Sequence, residues 1–190
     1  MNPVSCAEKI PGWMVKEELE WLYDKAKQMQ SIAEFGCYKG RSTTVLCAGC
    51  PGEVYSVDRF TPDFFIPDGG FDKGLREDGR KPSPYKDFIK NTREFSNLWV
   101  LPMSSIEAAT SPLIPSMLDM IFLDTNHNVE LVLEELKLWT SRARILLCGH
   151  DYEDPNFTEP PHPGVKQALS EFFGLEKIAN GPHSIWYLKG

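Results

Sequence analysis

The chain has no apolar run approaching the roughly 20 residues that a membrane-spanning helix requires. Its start, Met1-Asn2-Pro3-Val4-Ser5-Cys6, has neither the basic head nor the apolar core of a secretory leader. Positive charge is also scarce: 20 lysines and arginines face 27 aspartates and glutamates, a formal net charge of −7. Nucleic acid and anionic membrane, both held first by basic side chains, are therefore poor partners, and a small molecule is the better expectation. The five cysteines are an odd number in a chain too long to depend on disulfides. Cys37 and Cys148 fall in or beside strand-like segments, which suits reduced thiols and a cytoplasmic protein. The pair Cys47-Ala48-Gly49-Cys50 has redox spacing but falls at the end of a helical segment rather than its start. No second pair or nearby histidine completes a zinc site. No internal repeat or low-complexity tract interrupts the 190 residues, a length suited to one domain, 1–190.

What is present is an alternation of helical and strand-like patterns. Residues 13–29 carry Trp13, Leu19, Leu22, Tyr23 and Ala26 at three- and four-residue spacing, an amphipathic helix that caps the fold within residues 1–30. Strands are expected at 31–36, 53–58, 98–101, 118–123 and 143–148, with closing strands at 175–179 and 184–188. Helices are expected at 42–50, 85–95, 129–140 and 165–173, and a short one opens at Ser104, whose offset to Glu107 is that of a capping box. The continuous apolar run 118–123 reads as a central parallel strand buried on both faces. Strands separated by helices imply an α/β fold: a mostly parallel central sheet with helices on both faces and a C-terminal antiparallel strand.

In such sheets ligands bind at the carboxyl ends of the strands, near the reversal of strand order. The chemistry-bearing residues fall there. The first strand runs into Glu34-Phe35-Gly36-Cys37-Tyr38-Lys39-Gly40-Arg41-Ser42-Thr43, a tight glycine turn opening a helix. Tyr38 occupies the place of the middle glycine of a dinucleotide fingerprint, and the Gly-Lys-Ser/Thr of a P-loop is missing. Asp58 closes the second strand about 20 residues after the glycine turn, the offset at which a carboxylate receives ribose hydroxyls. The fourth and fifth strands end in Asp124-Thr125-Asn126-His127 and Gly149-His150-Asp151-Tyr152.

The pattern Glu-x-Gly-x-x-x-Gly-x-Ser after a strand resembles the first motif of class I S-adenosylmethionine (SAM) methyltransferases, with their Rossmann-like fold. The nearest branches are the catechol O-methyltransferase-like and the macrocin O-methyltransferase or cephalosporin hydroxylase-like ones. The resemblance implies a SAM pocket formed by Glu34, Gly36, Tyr38, Gly40, Ser42, Asp58, Arg59, Ser104, Ser105 and Asp124. Ser42 would meet the methionine carboxylate and Asp58 the ribose. Asp124-x-x-His127 is similar to the Asp-x-x-Lys of the catechol branch, with a histidine in the place of the base. His127 and Asp124 are thus the catalytic candidates, and a neutral imidazole near pKa 6.5 suits proton removal from a hydroxyl. Gly-His-Asp-Tyr resembles the second branch, and Asp124, His150 and Asp151 together could hold one divalent cation, Mg²⁺ or Mn²⁺.

Two long segments rich in proline, glycine and aromatics, 59–84 and 153–164, are expected to be lids over this edge. The resulting expectation is a SAM-dependent O-methyltransferase acting on a small hydroxylated acceptor. Two other classes stay open: a metal-dependent enzyme of different chemistry, as in the cephalosporin hydroxylase-like branch, and a non-catalytic protein retaining the fold. The sequence leaves the oligomeric state open, a homo-oligomer included.

Overall fold

Among the described residues, seven strands form one sheet in the order β3-β2-β1-β4-β5-β7-β6. The computed structural model describes residues 2–61, 83–153 and 163–189. Strands β1 (Ser31–Phe35), β2 (Glu53–Val57), β3 (Leu98–Leu101), β4 (Leu118–Leu123) and β5 (Ala143–Gly149) pair in parallel. Strands β6 (Ile178–Asn180) and β7 (Trp186–Leu188) close the sheet, β7 running antiparallel to both β5 and β6. Between β1 and β4 the strand order reverses, which opens a crevice above their carboxyl ends.

Alternation along the strands divides the core into two layers. Ala33, Phe35, Val57, Ile121, Leu123 and Leu147 point to one face and pack under α5 (Ser105–Ala108), α6 (Val129–Trp139) and α7 (Pro163–Phe173). Ile32, Val54, Met120, Phe122 and Leu146 point to the other face and meet α1 (Pro3–Ala7), α2 (Lys16–Ala26) and α3 (Arg41–Gly49). A smaller cluster of Cys37, Phe60 and Phe88 seats α4 (Tyr85–Thr92) beside the glycine turn. Trp139 is fully buried, packs against Phe35 with ring centroids 4.3 Å apart and tilted by 44°, and donates its indole N–H to the Ser105 carbonyl. One aromatic anchor thus joins β1, α5 and α6.

Local chemistry explains most element boundaries. The helix expected from residue 13 begins at Lys16, because Gly12 packs on Arg41 and Trp13 packs on Tyr38 at 5.1 Å, which draws the chain across the glycine turn first. Helix α1 lacks apolar periodicity and is instead started by Asn2, whose side chain accepts from the Val4 N–H, with Pro3 in the first turn. The Ser104 capping box on Glu107 forms as its spacing implies. The expected strand at 175–179 begins as a 3₁₀ turn, Leu175–Lys177, so pairing starts only at Ile178. Likewise Ser184 and Ile185 precede β7, where Ser184 bonds to α2 rather than to a strand. Cys47 and Cys50 sit at the C-terminal end of α3 as free, buried thiols, and burial pushes both upward in pKa. No helix among the described residues is long and apolar enough to cross a membrane. Most of the two expected lid segments, 62–82 and 154–162, lies outside the described residues.

Candidate active site

Four strand ends are joined by three backbone hydrogen bonds: Gly36 N–H donates to the Val57 carbonyl, Asp124 N–H to that of Phe35, and His150 N–H to that of Leu123. The loops that follow β1, β2, β4 and β5 are thereby set at one height. Gly36 and Gly40 both adopt left-handed backbone, with φ of 88° and 87°. A Cβ on Gly36 would lie 1.9 Å from the Asp124 carbonyl oxygen, so only glycine allows the β1 and β4 loops to touch. Tyr38 between them also has a positive φ, 47°, a conformation disfavoured for an aromatic residue.

The carboxylate of Asp58 holds this strained turn. Its Oδ2 accepts from the N–H groups of Cys37 and Tyr38 at 2.9 and 2.8 Å, and Oδ1 accepts from Phe60 at 2.7 Å. Behind the turn stands Glu34, fully buried, which receives the hydroxyls of Ser42, Thr43 and Ser56 at 2.5, 2.5 and 2.9 Å. Burial pushes the Glu34 carboxyl above its ordinary range against the pull of those hydroxyls. Glu34 and Ser42 therefore meet each other beneath the loop, whereas Gly36, Tyr38 and Asp58 lie at its partly exposed edge.

Ser104 caps α5, and Ser105 beside it is buried with its hydroxyl on Glu135 at 2.5 Å. Glu135 also receives the hydroxyl of Thr125 at 2.5 Å, which ties the loop after β4 to α6. Arg59 is exposed, and its charge adds a lesser attraction to the Glu107 carboxylate, itself lowered in pKa mainly by bonds from Ser104.

Across the crevice, Asp124, His127, His150 and Asp151 form one cluster. His150 Nδ1 lies 3.1 Å from Asp151 Oδ1 and 3.7 Å from Asp124 Oδ1. Asp151 Oδ2 is 2.8 Å from His127 Nε2, and Asp151 itself takes a positive φ of 64° to turn both oxygens inward. Burial pushes the Asp124 carboxyl up to about 7, with repulsion from Asp151 adding to it and His150 opposing. Burial also disfavours the charged form of Asp151, but hydrogen bonds from His127 and His150 outweigh it and hold this carboxyl well below the usual range. The buried His150 is raised above its ordinary value because Asp124, Asp151 and Glu18 surround it, against the desolvation cost.

One ligand atom each from Asp124, His150 and Asp151 lies within 4.8 Å of the others, a spacing that fits a single divalent cation. Two carboxylates and an imidazole supply enough negative charge and donor variety for Mg²⁺ or a first-row transition ion. Beside the cluster is a cavity of about 10 Å³, room for roughly one water, bordered by Thr125, Glu135 and Trp186. Glu18 and Ser184, which the motifs do not include, also reach His150, at 3.1 and 2.8 Å. The only hint of Glu18 in the sequence is its place in the acidic first turn of α2.

These features gather a glycine turn, a strand-end carboxylate and an Asp–His–Asp cluster at one edge of a doubly wound sheet. A profile described as a methyltransferase domain matches residues 33–152, which span the glycine turn, Asp58 and both strand-end motifs. The chain belongs to this methyltransferase-domain family. No curated protein matches it in sequence. Among solved structures, it is similar to the O-methyltransferase TomG of Streptomyces achromogenes in complex with SAM, with 13% identity over 100% of this chain and 91% of that one and a TM-score of 0.61. An O-methyltransferase of Bacillus cereus in complex with S-adenosylhomocysteine aligns at 12% identity, over 98% and 87% of the two chains, with a TM-score of 0.61. An S-adenosylhomocysteine-bound methyltransferase of Podospora anserina aligns at 13% identity, over 100% and 88%, with a TM-score of 0.65. At such identities the likeness is one of fold.

Proposed function

We propose that this protein transfers the methyl group of SAM to a hydroxyl of a small molecule, assisted by one divalent cation. The observation that carries this reading is the facing of two units across one crevice: the Gly36–Gly40 turn held by Asp58, and the Asp124–His150–Asp151 cluster with His127 beside it. Family membership and the SAM- and S-adenosylhomocysteine-bound structural neighbours support the choice of cofactor.

In this reading Gly36, Tyr38 and Gly40 leave the backbone close to the nucleoside, and Asp58 faces the ribose. Ser42, braced by Glu34, sets the first turn of α3 toward the methionine carboxylate, whose negative charge suits a helix N-terminus. Arg59, Ser104 and Ser105 border the adenine side. Asp124, His150 and Asp151 would hold the cation, which would supply Lewis acidity that lowers the pKa of the acceptor hydroxyl. His127 accepts the hydroxyl proton on its imidazole, and Asp151 Oδ2, 2.8 Å from Nε2, steadies the positive charge that forms. Alignment of oxygen, methyl carbon and sulfur then supplies much of the rate by proximity. We assign the protein to the cytoplasm and its acceptor to small hydroxylated compounds, on its acidic balance and reduced thiols.

The test is release of S-adenosylhomocysteine from SAM with a panel of phenols, catechols and aliphatic polyols, with Mn²⁺, Mg²⁺ or chelator. Product that depends on both an acceptor and a cation is expected. Metal-dependent oxygen consumption without any S-adenosylhomocysteine would replace methyl transfer with a different chemistry at the same cluster.

A further inference from the structure

Glu18 belongs to α2, far in sequence from the crevice motifs, yet it is 2% exposed and every oxygen it has is engaged. Oε2 accepts from the Val15 N–H at 2.9 Å. Oε1 accepts from the Ser184 N–H at 3.1 Å and from the Ser184 hydroxyl at 3.0 Å, and lies 3.1 Å from His150 Nε2. The Ser184 oxygen is itself 2.8 Å from the same ring nitrogen. An ionised carboxylate can only accept, so the ring nitrogen facing it must carry hydrogen. The Ser184 hydroxyl, already directed at Glu18, presents a lone pair to that N–H. The contacts on the Glu18 side hold Nε2–H toward Glu18 and Ser184 and leave Nδ1, 3.1 Å from Asp151 Oδ1 and 3.7 Å from Asp124 Oδ1, as the nitrogen that faces the two aspartates and would give up its proton to a cation held there.

We propose that Glu18, together with Ser184, is the positioning pair of the cation site: it fixes the ring plane and tautomer of His150 so that Nδ1 is presented to the ion alongside the two aspartates. The inference rests on the cation reading given under the proposed function and extends it to residues outside the methyltransferase-domain match, which covers 33–152. It also gives the N-terminal helix a chemical task. Helix α2, the turn before β7 and the end of β5 converge on one imidazole, so cation affinity depends on docking of the N-terminal segment. Outer partners of a metal-bound histidine commonly change metal affinity by about 10- to 100-fold when replaced.

Glu18→Gln tests this with little change in volume. Val15 N–H, Ser184 N–H and His150 Nε2–H all require acceptors, and an amide offers one oxygen where the carboxylate offers two. Binding of Mn²⁺ alone, followed by the electron paramagnetic resonance of the free ion, should weaken about 10- to 100-fold. In the metal-free variant, long-range ¹H–¹⁵N spectra of the His150 imidazole should lose the signature of a fixed Nε2–H. Ser184→Ala is the milder variant should Glu18→Gln not fold; it should weaken Mn²⁺ binding in the same direction, and Ser184→Thr, which keeps the hydroxyl, should restore it. Unchanged Mn²⁺ affinity in folded Glu18→Gln and Ser184→Ala proteins overturns the positioning role and leaves the cation reading standing. Absence of Mn²⁺ binding to the unmodified protein overturns the cation reading itself, and the positioning role with it.

Discussion

Replacing Glu34 probes how the glycine turn is held. Its carboxylate is fully buried and receives three hydroxyls, from Ser42, Thr43 and Ser56, all of them buried as well. Glu34→Ala removes three hydrogen bonds worth about 0.5–1.5 kcal/mol each and leaves polar groups without partners and a void beneath β1. A loss of about 3–5 kcal/mol is expected, a large fraction of the 5–15 kcal/mol that stabilises a typical domain. Glu34→Gln should cost less, about 1 kcal/mol, because hydroxyls can rotate to accept from the new amide. The two variants also separate charge from packing. Burial raises the folded-state pKa of Glu34, so the native protein holds a proton there that the unfolded chain releases from about pH 4.3 upward. Its contribution to stability is present in full at lower pH and is lost as pH rises through the folded value. The glutamine variant has no such proton, so the stability gap between the natural protein and Glu34→Gln should shrink as pH rises. Urea denaturation of all three proteins at several pH values measures this. A loss below about 1 kcal/mol for Glu34→Ala, or a gap that widens with pH, would refute the reasoning.

Other substitutions read the remaining parts of the site. Asp58→Ala removes the acceptor for Cys37, Tyr38 and Phe60 N–H groups, and should weaken SAM binding at least about tenfold in calorimetry while costing about 1–3 kcal/mol in stability. Gly36→Ala forces a Cβ against the Asp124 carbonyl at 1.9 Å; a drop in Tm together with loss of SAM binding is expected, and near-native behaviour would contradict the close approach of the two loops. His127→Ala should lower kcat by about 10²- to 10⁴-fold with little change in SAM affinity, since the ring is assigned to the proton and not to the cofactor. Trp139→Ala, which empties a fully buried anchor, should cost about 3–5 kcal/mol in denaturant melts.

Much of this was legible before the fold. The parallel sheet follows from continuous apolar strands such as 118–123, and the candidate site from four strand ends carrying glycine or carboxylates. Asp124, His150 and Asp151 do converge, because the backbone bonds from Asp124 to Phe35 and from His150 to Leu123 hold their strand ends level. The sequence was silent where function depends on long-range contact. Glu18 reads as an ordinary helix-start glutamate, and only folding brings it to a histidine 132 residues away. Glu34 reads as a residue of the cofactor loop, while the structure puts its carboxylate under that loop, on hydroxyls of α3 and β2. Helix α1 escaped because its five residues are too few for periodicity to register, and a cap and a proline start it instead.

The most direct test of the central claim is isothermal titration of the full chain with SAM and with S-adenosylhomocysteine, each in Mn²⁺, in Mg²⁺ and in chelator. Saturable binding of both nucleosides is expected, retained in chelator and weakened by Asp58→Ala. Absence of binding to either one under every condition would contradict the central claim.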